Sequence, residues 1–203
     1  MTKLILVRHG ETEWNVERRF QGQSDIALSE VGRKQAKRLA ERFPAKQVDI
    51  IYSSDLSRAR ETAAQIAQKF GCEVHPEADL REMNFGEWEG LSHEEIHRRW
   101  PEAESDLWLR PDLLRTPGGE TVQQVQERAM QTIDRILATE PEDSAIVIVA
   151  HGAVIRSILC AMLHIPLRYF WSIRQDNTAI SIAQRLEGKW FIELVNSTAH
   201  LHK

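Results

Sequence analysis

The chain has 203 residues, 42% of them hydrophobic and 28% charged, which is enough for one globular domain with a sizeable core. Its formal net charge of −4 argues against a general nucleic-acid binder, because such proteins present a basic surface. No apolar run reaches transmembrane length, and an apolar strand begins almost at the first residue. We therefore expect a cytoplasmic protein with neither a nucleic acid nor a membrane as its partner.

The first predicted element is a strand over residues 4–7, which runs directly into Arg8, His9 and Gly10. Continuous apolar runs of this length are typical of strands buried on both faces of a parallel sheet. Ligands of such sheets bind beyond the carboxyl ends of the strands. A cation and an imidazole at that end therefore indicate a polar ligand.

After this first strand, predicted helices and strands alternate along the chain. The helices cover residues 29–43, about 55–70, about 118–139 and 154–163, and the strands cover 48–52, 72–75, 146–150, 178–183 and 190–195. In the first helix, Val31, Ala36, Leu39, Ala40 and Phe43 form the expected inward stripe. The alternation predicts an α/β fold: a three-layer αβα sandwich with a mostly parallel central sheet and one antiparallel edge strand.

The whole chain, 1–203, is predicted to form a single domain. Residues 83–117 break the regular pattern with Trp88, Trp100, Trp108 and several prolines. A capping box at Ser92 and Glu95 predicts one short helix within them. We interpret this segment as an excursion over the strand ends, which serves as a lid or a substrate wall.

A later predicted strand, 146–150, is followed directly by His151 and Gly152, so the His-Gly pair that follows the first strand recurs. If the two strands are neighbours, His9 and His151 emerge side by side, and the glycines allow close backbone approach to a ligand. Arg58 is expected in the first turn of the second helix, where the N-terminal N–H groups also favour an anion. Two arginines, a helix N-terminus and two imidazoles together predict a pocket for a phosphoryl group.

Five blocks of the sequence then carry a family resemblance. They are LVRHGET at 6–12 with Asn15, SDLSRARETA at 54–63, LREMNFGEWEG at 80–90, GGET at 118–121 and AHG at 150–152. In these blocks the chain resembles the histidine phosphatase superfamily, in the branch that contains cofactor-dependent phosphoglycerate mutases. The resemblance covers most of the chain, and its blocks follow the family's order.

The resemblance implies a mechanism. His9 would be the nucleophile, with its other ring nitrogen donating to a backbone carbonyl. Arg8, Arg58 and His151 would stabilise the transferred phosphoryl group, and Glu82 would protonate the leaving alkoxide and then activate water. The remaining candidates for binding phosphate or substrate are Asn15, Gln21, Gly22 and Gly152.

Three functions are compatible with these residues. The expected one is a metal-independent phosphomonoesterase acting on a small phosphorylated metabolite, with α-ribazole 5′-phosphate as one candidate because the 85–90 block resembles that phosphatase subfamily. A cofactor-dependent phosphoglycerate mutase is the alternative, although a convincing paired-arginine motif is missing, and a non-catalytic phosphate-binding module is the third. A homodimer is left open.

Other features receive structural interpretations. His93 and His97 lack a third ligand and are expected on a solvated helix face. Arg98 and Arg99 are expected at the surface, with binding of a second anionic group as the alternative. Cys72 and Cys160 have no metal-type spacing and are expected to be buried free thiols. The sequence thus predicts no metal and no cofactor.

Overall fold

A computed structural model describes residues 2–202 and places six strands in one sheet. The strands are β1 (Thr2–Arg8), β2 (Ile50–Ser54), β3 (Val74–Glu77), β4 (Ala145–Ala150), β5 (Ile180–Leu186) and β6 (Lys189–Ser197). The helices are α1 (Glu13–Val16), α2 (Glu30–Glu41), α3 (Ser57–Phe70), α4 (His93–Arg99), α5 (Pro101–Leu109), α6 (Val122–Thr139) and α7 (Gly152–Met162).

The strand order is β3-β2-β4-β1-β5-β6, which puts β1 in the middle of the sheet beside β4. These two strands are parallel, and Arg8 pairs with Ala150 at their carboxyl ends. β5 is antiparallel to β1 and to β6, so antiparallel pairing is confined to one side of the sheet, where β6 forms the edge. The predicted α/β fold class is confirmed.

Helices cover both faces of the sheet, as the alternation of side chains along β1 shows. Leu4 and Leu6 pack into one apolar cluster with residues of α6 and α7. Ile5 and Val7 point the other way, into a cluster with residues of α2 and α3. All four side chains are fully buried, and each such burial contributes roughly 1.5–3 kcal/mol. This double burial fixes the register of β1 and hence the position of the residues that follow it.

The inward stripe predicted for α2 is wrong at Val31, which is 50% exposed. Gly32 faces the body of the protein instead, because α2 comes so close to the preceding loop that a Cβ there would lie 2.0 Å from the carbonyl oxygen of Glu11. Ser29 caps the helix by accepting from the Gly32 N–H. The close approach, rather than the apolar pattern, sets the rotation of the first turn.

The irregular segment 83–117 contains more helix than expected. The capping box at Ser92 and Glu95 begins α4 as predicted, and Pro101 begins a further helix, α5, which the sequence reading missed. Proline suits the first turn of a helix because its missing N–H would have no intrahelical partner there. Both cysteines are free, but only Cys160 is buried; Cys72 is partly exposed, contrary to the expectation. Within residues 2–202, no helix is long and apolar enough to cross a membrane.

Candidate active site

A cavity of about 300 Å³ opens at the carboxyl ends of β1 and β4. Eight of the nine predicted site residues line it: Arg8, His9, Asn15, Gln21, Gly22, Arg58, Glu82 and Gly152. The ninth, His151, is fully buried beside it, with its ring centroid 5.1 Å from that of His9. The pairing of Arg8 with Ala150 accounts for this proximity, since it brings the residues after both strands to one level.

His9 is 2% exposed and is held by the backbone around it. Its Nδ1 lies 2.6 Å from the carbonyl oxygen of Gly10, so Nδ1 carries the proton and donates to that carbonyl. The carbonyl oxygen of His9 in turn accepts from the Thr178 N–H and the Asn177 Nδ2. Burial, followed by the charges of Arg58 and Arg8, holds the pKa of His9 well below 6.5. Its Nε2 is therefore unprotonated at neutral pH.

Arg8 and Arg58 are fixed by backbone carbonyls rather than by carboxylates. Arg8 donates from Nη1 to the Gln175 carbonyl at 2.6 Å, and Arg58 donates from Nη1 and Nη2 to the carbonyls of Ser24 and Gly22, each at 2.7 Å. Their Nε atoms are buried without a hydrogen-bond partner in residues 2–202. Because buried donors are normally paired, these two atoms mark a site for an acceptor.

His151 also lacks a partner. Neither of its ring nitrogens has a hydrogen bond within residues 2–202, and the residue is fully buried. Burial, followed by the charges of Arg58, His9 and Arg8, holds its pKa well below 6.5. An anion in the cavity would oppose the lowering of the His151 pKa by the arginine charges and give the imidazole a hydrogen-bond acceptor.

The Glu82 carboxylate stands at the N-terminus of α7. It accepts from the Ala153 N–H at 3.1 Å and from its neighbour Met83 N–H at 3.0 Å. Arg128 holds the backbone beneath it, donating to the carbonyl of Glu82 while it pairs with Glu120 at 2.8 Å. The GGET block therefore acts at a distance from the cavity, by fixing the segment that carries Glu82.

The loop at 21–24 is shaped by Glu89, for which sequence reasoning assigned no role. Its carboxylate accepts from the N–H groups of Gln23 and Ser24, each at 2.9 Å, and from the Ser24 hydroxyl. Gly22 has φ +52°, and a Cβ there would lie 2.0 Å from the Glu89 carboxylate. Only glycine fits this position, so the loop can present the two carbonyls that hold Arg58.

Asn15, in α1, and Gln21, in the loop, have side-chain oxygens that are already engaged. The Oδ1 of Asn15 accepts from the Thr12 N–H and from Asn177 Nδ2, and the Oε1 of Gln21 accepts from the Thr12 hydroxyl. Their amide NH₂ groups are the donors that remain for a ligand.

The opposite wall of the cavity includes part of the segment 83–117, but the ring contacts that build it were not predicted. Four rings form an aromatic row along it: Phe20, His93, Trp108 and Trp171, with consecutive centroids 4.8, 5.3 and 5.1 Å apart. Arg156 of α7 lies against the last ring, its guanidinium 4.6 Å from the Trp171 centroid. The spacing of four residues from Gly152 to Arg156 would have been the available signal, because it places both on one face of α7.

The other residues discussed in the sequence analysis lie in different parts of the structure. Trp88 is fully buried in the core and Trp100 packs against it, whereas Trp108 lines the cavity. Arg98 and Arg99 are exposed and lie outside the cavity wall. The solvated face expected for His93 is wrong, because its ring is stacked in the aromatic row; His97 is exposed as predicted. In the described residues, no group of three His, Cys, Asp or Glu side chains is placed to hold a metal ion.

Comparison with known proteins identifies the family. The model of the histidine phosphatase superfamily (branch 1) matches residues 4–198. The chain belongs to this superfamily. The solved structure of Bacillus stearothermophilus YhfR superposes with a TM-score of 0.94 at 35% identity, with all of both chains covered.

The similar curated proteins include both phosphatases and mutases. Phosphoserine phosphatase 1 of Hydrogenobacter thermophilus is 37% identical over 99% of this chain and 95% of its own length. A probable phosphoglycerate mutase, GpmB of Erwinia tasmaniensis, is 34% identical over the same shares of the two chains. The family and the phosphatase-named relatives support a phosphomonoester hydrolase, as the motifs predicted.

Proposed function

We propose that this protein hydrolyses a small phosphomonoester through a phosphohistidine intermediate on His9. The observation that carries the proposal is the bond between His9 Nδ1 and the Gly10 carbonyl, at 2.6 Å. It leaves a neutral Nε2 as the nucleophile beside a cavity that holds two arginines. The lowered pKa of His9 supports the same role, since protonation would remove the lone pair that attacks phosphorus.

Arg8, Arg58 and His151 bind the phosphoryl group in this proposal. Charge on its three equatorial oxygens must be stabilised as the group is transferred. The buried, unpaired Nε atoms of both arginines and the unpaired ring of His151 support the assignment. Asn15 and Gln21 contribute their amide donors, Gly22 permits the loop to fold back onto Arg58, and Gly152 keeps the start of α7 open to the ligand.

Glu82 serves both half-reactions. In the first, the His9 Nε2–P bond forms, the bond from phosphorus to the leaving oxygen breaks, and the proton of Glu82 passes to that oxygen. In the second, a water molecule gives a proton to Glu82, the oxygen of that water attacks phosphorus, and the P–Nε2 bond breaks. Inorganic phosphate leaves, and both side chains return to their starting states.

Residues 83–117 form the substrate wall in this proposal, as the sequence predicted. Phe85, His93 and Trp108 of this segment line the cavity opposite His9. The single domain over 1–203, the cytoplasmic location and the homodimer stay predictions.

Two activities of this fold start from the same phosphohistidine, and Arg156 on the wall favours keeping the mutase as a second candidate. A mutase must bind a second anionic group and exclude water while its intermediate turns around. Arg98 and Arg99 are exposed and lie outside the cavity. Arg18 and Arg19 do line it, but Arg18 is exposed and Arg19 pairs with Glu17 and Glu95, which favours the phosphatase. The non-catalytic module is disfavoured because a nucleophile and an acid are both present.

Phosphate release from a panel of esters tests the proposal, without metal and without 2,3-bisphosphoglycerate. The panel holds p-nitrophenyl phosphate, O-phosphoserine, 3-phosphoglycerate and α-ribazole 5′-phosphate, the last because the aromatic row offers rings on which its base would stack. Release that is lost in His9→Ala is the expected result. Conversion of 3- to 2-phosphoglycerate only after the bisphosphate is added would identify a mutase, and ester binding with no turnover would identify a binding module.

A further inference from the structure

Arg156 is a partly buried cation in the cavity with no role in the mechanism above. Its Nε donates to the Ile173 carbonyl at 2.8 Å, and its guanidinium lies over the Trp171 ring, 4.6 Å from the ring centroid. Neither terminal nitrogen has a hydrogen-bond partner in residues 2–202, although the side chain lines the cavity. The guanidinium is thus held in one orientation with its two NH₂ groups unused.

The position of these groups relates them to the leaving group rather than to the phosphorus. A Cβ built on Gly152 would meet Arg156 Nη1 at 3.1 Å, Arg8 Nε at 3.7 Å and Glu82 Oε2 at 3.8 Å. Arg156 therefore stands next to the acid that protonates the leaving oxygen. Its guanidinium also lies over the Trp171 ring, at the end of the aromatic row.

A count of charges indicates what the unused cation binds. A phosphomonoester dianion is matched by Arg8 and Arg58. During the first half-reaction Glu82 carries a proton and neutralises nothing. Of the other arginines in the lining, Arg19 pairs with Glu17 and Glu95 and Arg18 is exposed to solvent. The nearby Asp176 pairs with Arg174, so Arg156 keeps one unmatched positive charge inside the cavity. Burial, followed by the charge of Arg8, lowers the pKa of Arg156 only to about 10, so it is charged at neutral pH. One unmatched positive charge fits a monoanion better than a second phosphate dianion.

We propose that Arg156 binds a carboxylate on the leaving group, which makes the natural substrates phosphomonoesters of small hydroxy or amino acids. A planar guanidinium with two free NH₂ groups matches the two oxygens of a carboxylate in a bidentate pair. This inference rests on the proposed phosphatase function and extends it from the reaction to the class of substrate. Its position beside Glu82 allows one carboxylate to orient the leaving oxygen towards the acid.

The test compares O-phosphoserine with O-phosphoethanolamine, which differ only in the carboxylate. Hydrogen bonds to charged groups contribute about 1.5–3 kcal/mol, so the wild type should prefer phosphoserine roughly 10- to 100-fold in kcat/KM. Arg156→Ala and Arg156→Gln should abolish this preference by lowering only the phosphoserine value, and Arg156→Lys should keep part of it. The matched control is Arg168→Ala, an exposed arginine that also stacks on a ring, Tyr169.

The preference is a ratio measured within each variant, so it does not depend on the folded fraction of the preparation. If Arg156→Ala fails to fold, the Gln and Lys variants give the same comparison. An equal loss on both substrates would assign Arg156 to packing or to the phosphoryl group and overturn the inference. A wild type that hydrolyses p-nitrophenyl phosphate but has equal kcat/KM for phosphoserine and phosphoethanolamine would also overturn the inference, while the proposed function stands. Failure to hydrolyse any ester would instead refute the proposed function.

Discussion

The two walls of the cavity are built in different ways. At the phosphoryl wall, Arg8, His9 and Arg58 follow or face strand ends, and backbone carbonyls hold each of them. At the leaving-group wall, the aromatic row and Arg156 come from separate segments and are held mostly by stacking on one another.

The difference separates two tasks. Backbone hydrogen bonds on a buried sheet fix the chemistry, because a strand cannot shift without exposing its core. Stacked side chains on loops and short helices can be exchanged one at a time, so this wall determines which substrate is accepted. Variants at the phosphoryl wall should thus affect every substrate, and variants at the other wall should affect some of them.

The largest effect is expected from His9→Ala. Removal of the nucleophile should lower kcat by roughly 10⁴- to 10⁶-fold on all esters, by analogy with other enzymes that form covalent intermediates. Phosphate release under saturating substrate measures it, with the exposed His97→Ala as the control. Residual activity within ten-fold of the wild type would mean that another group attacks phosphorus.

Glu82→Gln should distinguish substrates by the basicity of the leaving oxygen. An alkoxide such as that of serine needs a proton to depart, so kcat/KM for phosphoserine should fall roughly 10²- to 10⁴-fold. p-Nitrophenolate leaves without one, and its kcat/KM should fall far less. The exposed Glu87→Gln in the same segment is the control. Equal losses on both esters would contradict the role of Glu82 as the acid.

Arg58→Ala should reduce kcat by roughly 10²- to 10³-fold on every ester, as loss of one preorganised donor does elsewhere. It should also lower the melting temperature, because Arg58 is fully buried and holds the carbonyls of Gly22 and Ser24. Arg60→Ala, at an exposed residue two positions further along α3, should change neither kcat nor the melting temperature. A selective loss on one ester would move Arg58 to the leaving-group wall.

The predictability of the site from sequence follows the same division. His9 and His151 were predicted to be neighbours because parallel strands bring their carboxyl ends to one edge, and the pairing of Arg8 with Ala150 produces that arrangement. Arg58 was predicted because a helix begins where β2 ends. These contacts are determined by local patterns and by one rule of sheet topology.

The leaving-group wall follows from no comparable rule. His93 packs edge-to-face against Phe20, far away in the sequence, and nothing in the spacing of His93 and His97 encodes that contact. Arg156 resembles any helical arginine until the short helix Leu167–Ser172 brings Trp171 against it. The prediction that Val31 faces inward was wrong for a similar reason, since only the fold reveals how close α2 lies to Glu11.

Trp108→Ala should have a small and selective effect. Stacked aromatic pairs contribute about 0.5–1.5 kcal/mol, so an ester with a planar leaving group should lose roughly 2- to 10-fold in kcat/KM. Phosphoethanolamine should be unaffected. Tyr169→Ala removes a ring of similar exposure outside the cavity and is the matched control. A uniform loss on all esters would show that Trp108 supports the phosphoryl wall.

The pH dependence of kcat/KM should reveal how the arginine charges lower the pKa of His9 in the free enzyme. The pKa of His9 is lowered by burial first and by Arg58 next, so the neutral nucleophile persists well below pH 6.5 in the wild type. Removing the positive charge in Arg58→Gln should raise this pKa. The acid decline of kcat/KM should therefore move to higher pH, but stay in place in Arg60→Gln. An unchanged or lower midpoint would contradict the electrostatic account.

Rapid acid-free quenching of turnover with ³²P-labelled p-nitrophenyl phosphate tests the central claim most directly. In Glu82→Gln the first half-reaction proceeds without an acid, whereas the second lacks its base, so labelled enzyme should accumulate. The label should be acid-labile and stable to alkali, map to His9, and be absent when His9→Ala is added to the same variant. Continued phosphate release with no labelled protein in either enzyme would mean that water attacks the ester directly, and the phosphohistidine mechanism would be wrong.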